Sequence, residues 1–209
     1  MRKVKWGVIG AGGIADRRTI PGMMLANNAE LVAVMEVNTE TAENLRKKYN
    51  AKRAYTNADE LLDDPEIEAV YIASPVIYHK EQAIKAAKKK KHVLIEKPIA
   101  LTVKEGNEVL ECCKNEGVLA ATGFMMRFHA WHQKMKELVE NGKLGQIVSC
   151  RAQLTCWYPD MPGAWRQVKS QSGGGAMMDL AVHCIDLIQY IVGSKAKKIA
   201  AMIGTKTFK

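Results

Sequence analysis

The chain has five cysteines, Cys112, Cys113, Cys150, Cys156 and Cys184, and no C-x-x-C pair among them. An odd count with two adjacent members argues against a disulfide framework, and the missing pair spacing argues against a zinc site. No metal is therefore expected, and a reducing, cytoplasmic setting is. No secretory leader precedes the first expected strand. No apolar segment approaches the roughly 20 residues needed to cross a bilayer, so the expectation is a soluble protein without a membrane partner. Internal repeats, low-complexity tracts and flexible linkers are lacking as well. Negative charge is scarce: Lys+Arg outnumber Asp+Glu by 31 to 22, for a net charge of +9. That balance suits anionic small ligands. The excess is diffuse, and its one dense run, Lys88-Lys89-Lys90-Lys91, closes an expected helix, where cations complement the dipole. It reads as a solvated helix end, and no nucleic-acid partner is expected.

What the chain does have is alternation. Residues 4–9 (V-K-W-G-V-I), 31–35, 53–55, 69–73, 92–95 and 117–122 read as strands. Helical patterns from Ile14 and over 41–49, 58–62, 80–90 and 102–114 lie between them. Repeated β-α units with short connections predict an α/β fold, a doubly wound parallel sheet over residues 1–121. From 122 to 209 the pattern changes. A helix is expected at 131–139, a strand at 146–158, a long loop at 159–171, a helix to about Val192 and a last strand at 196–203. The partial alternation over 146–158 reads as an antiparallel strand, unlike the parallel ones before it.

The first strand runs directly into Gly10-Ala11-Gly12-Gly13-Ile14-Ala15, a G-x-G-x-x-A turn opening a helix. Gly10 permits the tight turn and Gly12 lets backbone N–H groups approach a pyrophosphate. Small Ala15 allows close helix–strand packing. The second strand ends in Glu36, where an acid is expected to hydrogen-bond the adenosine ribose. Val37 and Asn38 follow, with no arginine to receive a 2′-phosphate, so NAD is favoured over NADP. The buried-type run His92-Val93-Leu94-Ile95 ends in Glu96-Lys97-Pro98, and open α/β sheets bind ligands just beyond such strand ends. Lys97 is either a solvated loop residue or a charge placed for chemistry.

A second glycine run, Gly173-Gly174-Gly175, introduces a helix that carries Asp179, His183 and Asp186 on one face. His183 could act as a general acid/base. The commoner role of such a histidine is packing, with a hydrogen bond to the aspartate one turn away. A metal site on these three residues lacks further ligands.

Taken together, G-A-G-G-I-A, Ser74-Pro75 with His79, H-V-L-I-E-K-P, Trp165-Arg166 and G-G-G-A-M-M-D-L-A-V-H-C-I-D resemble the Gfo/Idh/MocA family of glucose–fructose oxidoreductase, inositol dehydrogenase and dihydrodiol dehydrogenase. The resemblance runs along essentially the whole chain. It implies an N-terminal Rossmann domain, a C-terminal α+β domain with a mostly antiparallel sheet, and an NAD(P)-dependent oxidoreductase acting on a secondary alcohol or carbonyl of a sugar or polyol. It further implies that Lys97 and His183 are catalytic with Asp179 beside them, and that Lys97-Pro98 is cis. Gly10, Gly12, Gly13, Ile14, Glu36, Ser74, Pro75, His79, Glu96 and Lys97 would meet the cofactor. Arg127, Trp165, Arg166 and Asp179 would line the substrate cleft. The same family also contains an NAD-dependent glycosidase, and a non-catalytic dinucleotide-binding regulator is a third reading. Intact Lys97 and His183 argue against the last.

Three departures stand out. Ala181 replaces the family's usual glycine, and Val76 replaces an asparagine after the Ser-Pro pair. The family's C-terminal sheet would also have only two strands here. An incomplete sheet leaves edges to be paired or covered, which predicts a homo-oligomer.

Overall fold

A computed structural model describes residues 2–161 and 164–204. Two compact units are present, Met1–Gly123 and Phe124–Lys209.

In the first unit the apolar runs become β1 (Val4–Ile9), β2 (Ala29–Met35), β3 (Arg53–Tyr55), β4 (Ala69–Ile72), β5 (His92–Ile95) and β6 (Ala120–Thr122). Between them lie α1 (Ile20–Leu25), preceded by a π-helical turn at Ala15–Thr19, then α2 (Thr39–Tyr49), α3 (Ala58–Asp63), α4 (His79–Lys88) and α5 (Val103–Glu116). The sheet order is β3-β2-β1-β4-β5-β6 and every pairing is parallel. The strand order therefore reverses between β1 and β4, and the crevice at their carboxyl ends is where such a sheet takes a ligand.

Alternate side chains feed two cores. Val8, Leu31, Val34 and Tyr71 pack with Ile20 and Leu45 on one face. On the other, Ile9, Val32, Val70, Ile72 and Ile95 pack with residues of α3, α4 and α5. β4 is buried at every position. Each fully buried aliphatic chain is worth about 1.5–3 kcal/mol, so the middle of the sheet is its most stable part. β5 meets the two-face expectation only in part: Val93 and Ile95 are buried, Leu94 is half-buried and His92 is exposed.

Helix ends follow local chemistry. The Asn38 side chain accepts from Thr41 N–H and Asn57 accepts from Asp59 N–H. At α5, Thr102 accepts from Glu105 N–H while the Glu105 carboxylate accepts from Leu101 N–H, a capping box displaced by one residue. The lysine run is not uniformly solvated. Lys91 is 7% exposed, and its Nζ donates to the carbonyl oxygens of Asp64 and Ile67, both at 2.7 Å. Lys89 pairs with Asp63 and Lys90 with Glu116.

In the second unit, α6 (Ala130–Glu140), the short α7 (Lys169–Ser172) and α8 (Val182–Val192) appear, with a π-helical turn at Met177–Ala181 leading into α8. α6 packs against α8. The strands expected at 146–158 and 196–203 are absent: neither segment is a strand in the structure. A strand exists only when a neighbour completes its ladder of hydrogen bonds, and alternation alone supplies no neighbour. One earlier expectation also needs correcting. By length and composition, Lys169–Val192 is apolar enough to cross a bilayer. Yet Gly173 interrupts it with a φ of 76°, and it carries Asp179, His183 and Asp186, the last buried in an ion pair.

Candidate active site

The glycine turn is tied to the end of β2, because Gly10 N–H and Ala11 N–H both donate to Met35 O, at 3.1 and 2.9 Å. Gly10 has a φ of 72°, and a Cβ built on it would stand 2.6 Å from the backbone nitrogen of Ser74. Only glycine fits there. Glu36 leaves β2 and folds back over the turn. One carboxylate oxygen accepts from Gly12 N–H at 3.0 Å and the other from Val37 N–H at 3.0 Å. A Cβ on Gly12 would meet that carboxylate at 2.9 Å. Gly13 has a φ of 56°, Ile14 precedes the π-helical turn, and Ala15 is fully buried. The structure thus brings together a glycine cradle, a helical N-terminus and an acid, a donor set that fits a dinucleotide's pyrophosphate and ribose.

Beside the cradle, the loop after β4 carries Ser74, whose hydroxyl lies 2.5 Å from Gln82 Oε1. Pro75 follows and caps a 3₁₀ turn at Val76–Tyr78. His79 opens α4 at 1% exposure. Its Nε2 lies 2.8 Å from Ser74 O and its Nδ1 2.9 Å from Pro98 O. Both ring nitrogens therefore face its own chain. Burial pushes its pKa down, against the upward pull of the two carbonyls and Glu96.

After β5, Glu96 is gripped from two sides. Tyr71 OH donates to Oε1 at 2.5 Å, and Lys97 N–H donates to Oε2 at 3.1 Å. Burial, and then the neighbouring carboxylate, hold the Tyr71 hydroxyl far above its usual pKa, so it stays a donor. Thr19 Oγ1 donates to Tyr71 at 3.0 Å, so the helix after the glycine turn is wired to the Glu96-Lys97 corner. The Lys97-Pro98 peptide is cis, as the family resemblance implies.

In the second unit His183 is buried at 5% exposure, with the Phe124 ring edge-on to it at 6.2 Å. Asp179 lies in the π-helical turn Met177–Ala181. Arg127 is committed to Asp186: its Nε lies 2.8 and 3.1 Å from the two carboxylate oxygens, and Nη2 makes a further bond. Its guanidinium also lies over the rings of Phe124 and Tyr190. The Asp186 ion pair raises the Arg127 pKa. Trp165 and Arg166 share the 3₁₀ turn Trp165–Gln167 and stack on one another at 4.4 Å. The Tyr71–Glu96 bond and the Arg127–Asp186 pair are absent from the expectations. Asp186 at helical spacing from His183 is the one sequence signal that could have pointed to the second. Among the described residues, no group of acids, histidines and cysteines is placed to hold a metal ion.

A six-stranded parallel sheet, a glycine cradle at its switch point and an acid folded over that cradle define a dinucleotide-binding protein of Rossmann type. The chain belongs to the GFO/IDH/MocA oxidoreductase family. Residues 4–124 match the family's NAD-binding Rossmann fold and residues 132–209 its C-terminal domain. It is 29% identical to 1,5-anhydro-D-fructose reductase of Ensifer adhaerens over 95% of this chain and 59% of that protein. With glucose-6-phosphate 3-dehydrogenase of Bacillus subtilis strain 168 it shares 35% identity, over 93% of this chain and 55% of the relative. It also resembles levoglucosan dehydrogenase solved with NADH and levoglucosan, at a TM-score of 0.77 and 28% identity, covering 92% of this chain and 55% of that one. The chain thus spans a little over half the length of these proteins.

Proposed function

We propose that this chain carries the cofactor-binding and catalytic residues of an NAD-dependent oxidoreductase acting on a secondary alcohol or carbonyl of a sugar or polyol. The observation that supports it most directly is the Glu36 carboxylate bonded to the glycine turn. There it would meet the adenosine ribose and repel a 2′-phosphate, which favours NAD over NADP. When bound, NAD supplies the hydride acceptor. The residues of the chain do the rest. Lys97, at the carboxyl end of β5, holds the substrate's reacting oxygen and stabilises negative charge on it. His183 takes the hydroxyl proton during oxidation and returns it during reduction, with Asp179 orienting the ring. Ser74, Pro75 and the backbone around Glu96 line the cofactor's path, and Trp165 and Arg166 contribute to the substrate side. Arg127 contributes there through Asp186 rather than by a free guanidinium.

The reading places the division of labour near residue 121, with the cofactor before it and a substrate and oligomerisation domain after. On this reading, residues 146–158 and 196–203, irregular here, become strands of the second domain's antiparallel sheet once neighbouring strands are supplied, and the assembly is a homo-oligomer. Both segments lie inside the match to the family's C-terminal domain.

The test is a panel of sugars, sugar phosphates and polyols with NAD or NADP, read as absorbance of the reduced cofactor. Reduction with at least one of them supports the reading. Failure of NADH to bind the purified chain by titration would overturn the cofactor assignment and everything built on it.

A further inference from the structure

Carrying the reading of Lys97 one step further, we propose that His79 is the positioning residue for that lysine. Its imidazole clamps the loop after β4 to the loop after β5 and thereby fixes the backbone from which the Lys97 side chain departs.

The geometry leaves His79 no other partner for its two nitrogens. It is 1% exposed, and both ring nitrogens are turned to carbonyl oxygens of its own chain. Nε2 faces Ser74 O at 2.8 Å and Nδ1 faces Pro98 O at 2.9 Å. Ser74 is the second residue past β4, and Pro98 carries the carbonyl directly after Lys97. Among the described bonds, other side chains of these two loops lean on separate supports. Ser74 Oγ is engaged by Gln82, and Glu96 by Tyr71 and the Lys97 amide. Among the described residues, His79 is the side chain with contacts to both loops at once.

The chemistry of the ring sharpens the point. Both partners are carbonyl oxygens, which only accept. A neutral imidazole can therefore donate to one of them and only an imidazolium satisfies both, so the two carbonyls, with the Glu96 charge, pull toward the protonated ring against the burial that disfavours it. Glutamine offers two N–H donors, but both on a single nitrogen, and phenylalanine fills the same space with none. Glu96 and Lys97 are held on both sides of the clamp: the Glu96 carboxylate grips the Lys97 amide from before, and His79 grips the Pro98 carbonyl from behind. A misplacement of about 1 Å at a reacting group can cost about 10²-fold in rate, so small slack here matters.

The experiment compares His79→Phe and His79→Gln with the parent chain. Four readouts are taken: kcat and KM with the best substrate found, the NADH dissociation constant, the thermal midpoint, and the rate at which an amine-acylating reagent labels Lys97 relative to the other lysines. The expected result is a kcat loss of about 10–100-fold for His79→Phe, well beyond any loss of NADH affinity. His79→Gln should recover part of it, and the Lys97 labelling rate should change while Lys80 and Lys114 label as before. On a Lys97→Ala background His79→Phe should lower kcat no further, because the two residues act through one group.

The proposal is overturned if Lys97 labelling is unchanged in the Phe and Gln variants. It is equally overturned if NADH affinity and kcat fall in parallel, or if the effects of His79→Phe and Lys97→Ala simply multiply. Should His79→Phe not fold, the Gln variant carries the same comparison. Labelling reports on Lys97 without any turnover. A shifted labelling rate with no oxidoreductase activity in the parent would therefore count against the functional reading and for the clamp.

Discussion

The Glu36 carboxylate accepts a hydrogen bond from the Gly12 amide at 3.0 Å, so the acid that ends β2 forms one wall of the glycine turn. A Cβ on Gly12 would press on the far end of that flexible side chain at 2.9 Å, which can swing away. Gly12→Ala is expected to fold with a stability change below about 1 kcal/mol. It should also displace Glu36 and weaken NADH at least several-fold. Calorimetric unfolding and an NADH titration check the two halves.

Gly10 is the opposite case. Its would-be Cβ meets backbone, Ser74 N at 2.6 Å, and its φ is +72°. Left-handed backbone alone costs an ordinary residue about 1–2 kcal/mol, and here the loop after β4 must also move. Gly10→Ala should lower stability by at least that much in chemical denaturation.

Replacing Glu36 with alanine removes the acid together with its bonds to the Gly12 and Val37 amides. NAD affinity should fall far more than NADP affinity. Equal losses for both cofactors would show that Glu36 does not read the ribose.

Lys97→Ala is expected to leave NADH binding close to that of the parent while lowering kcat by about 10²–10³, the scale of a positioned electrostatic group. Near-parental turnover would make Lys97 a loop residue and sink the mechanism.

Arg127→Met should destabilise the second unit. Asp186 is 7% exposed, and removing one partner of a buried ion pair costs about 3–5 kcal/mol. The Arg127 side chain is 44% exposed, so water can recover part of the loss and the lower half of that range is expected. Exchanging Asp186 for asparagine in the same background should restore some of the melting temperature.

Glu66 makes an acid-limb prediction. Lys52, then Arg53 and Lys5, hold its carboxyl down from the ordinary 4.5 to about 2. The depressed folded-state value means its stabilisation is complete above pH 4.5 and is lost as pH falls toward 2. Glu66→Gln should therefore lower the melting temperature at neutral pH, and the gap should close across that window.

Much of the parallel sheet can be read from the sequence because each strand is a short apolar run followed at once by a helix. Val4–Ile9, Arg53–Tyr55 and His92–Ile95 fall where those runs fall. β6 is shorter than the apolar run suggests, because Gly117 and Val118 are used to end α5. Gly117 takes a φ of 71°, and Val118 N–H reaches back to Cys113 O at 2.9 Å. The alternation at 146–158 says which side chains a strand would bury, but not which segment would pair with it. His79 lies at motif spacing from Ser74-Pro75, yet no spacing announces that its second nitrogen meets Pro98. Arg127 and Asp186 are joined only by folding, since nothing along the chain links residues so far apart.

Lys91 shows how poorly a count of charges describes a surface. Four successive lysines look like one sticky cationic tract, yet its last amine is enclosed among carbonyls, and the two before it each hold an acid. To a polyanion the tract offers fewer than four free charges, with Lys91 withdrawn altogether. A chemist mapping it by limited acetylation would find a gradient of protection along adjacent side chains, steepest between the first lysine and the last.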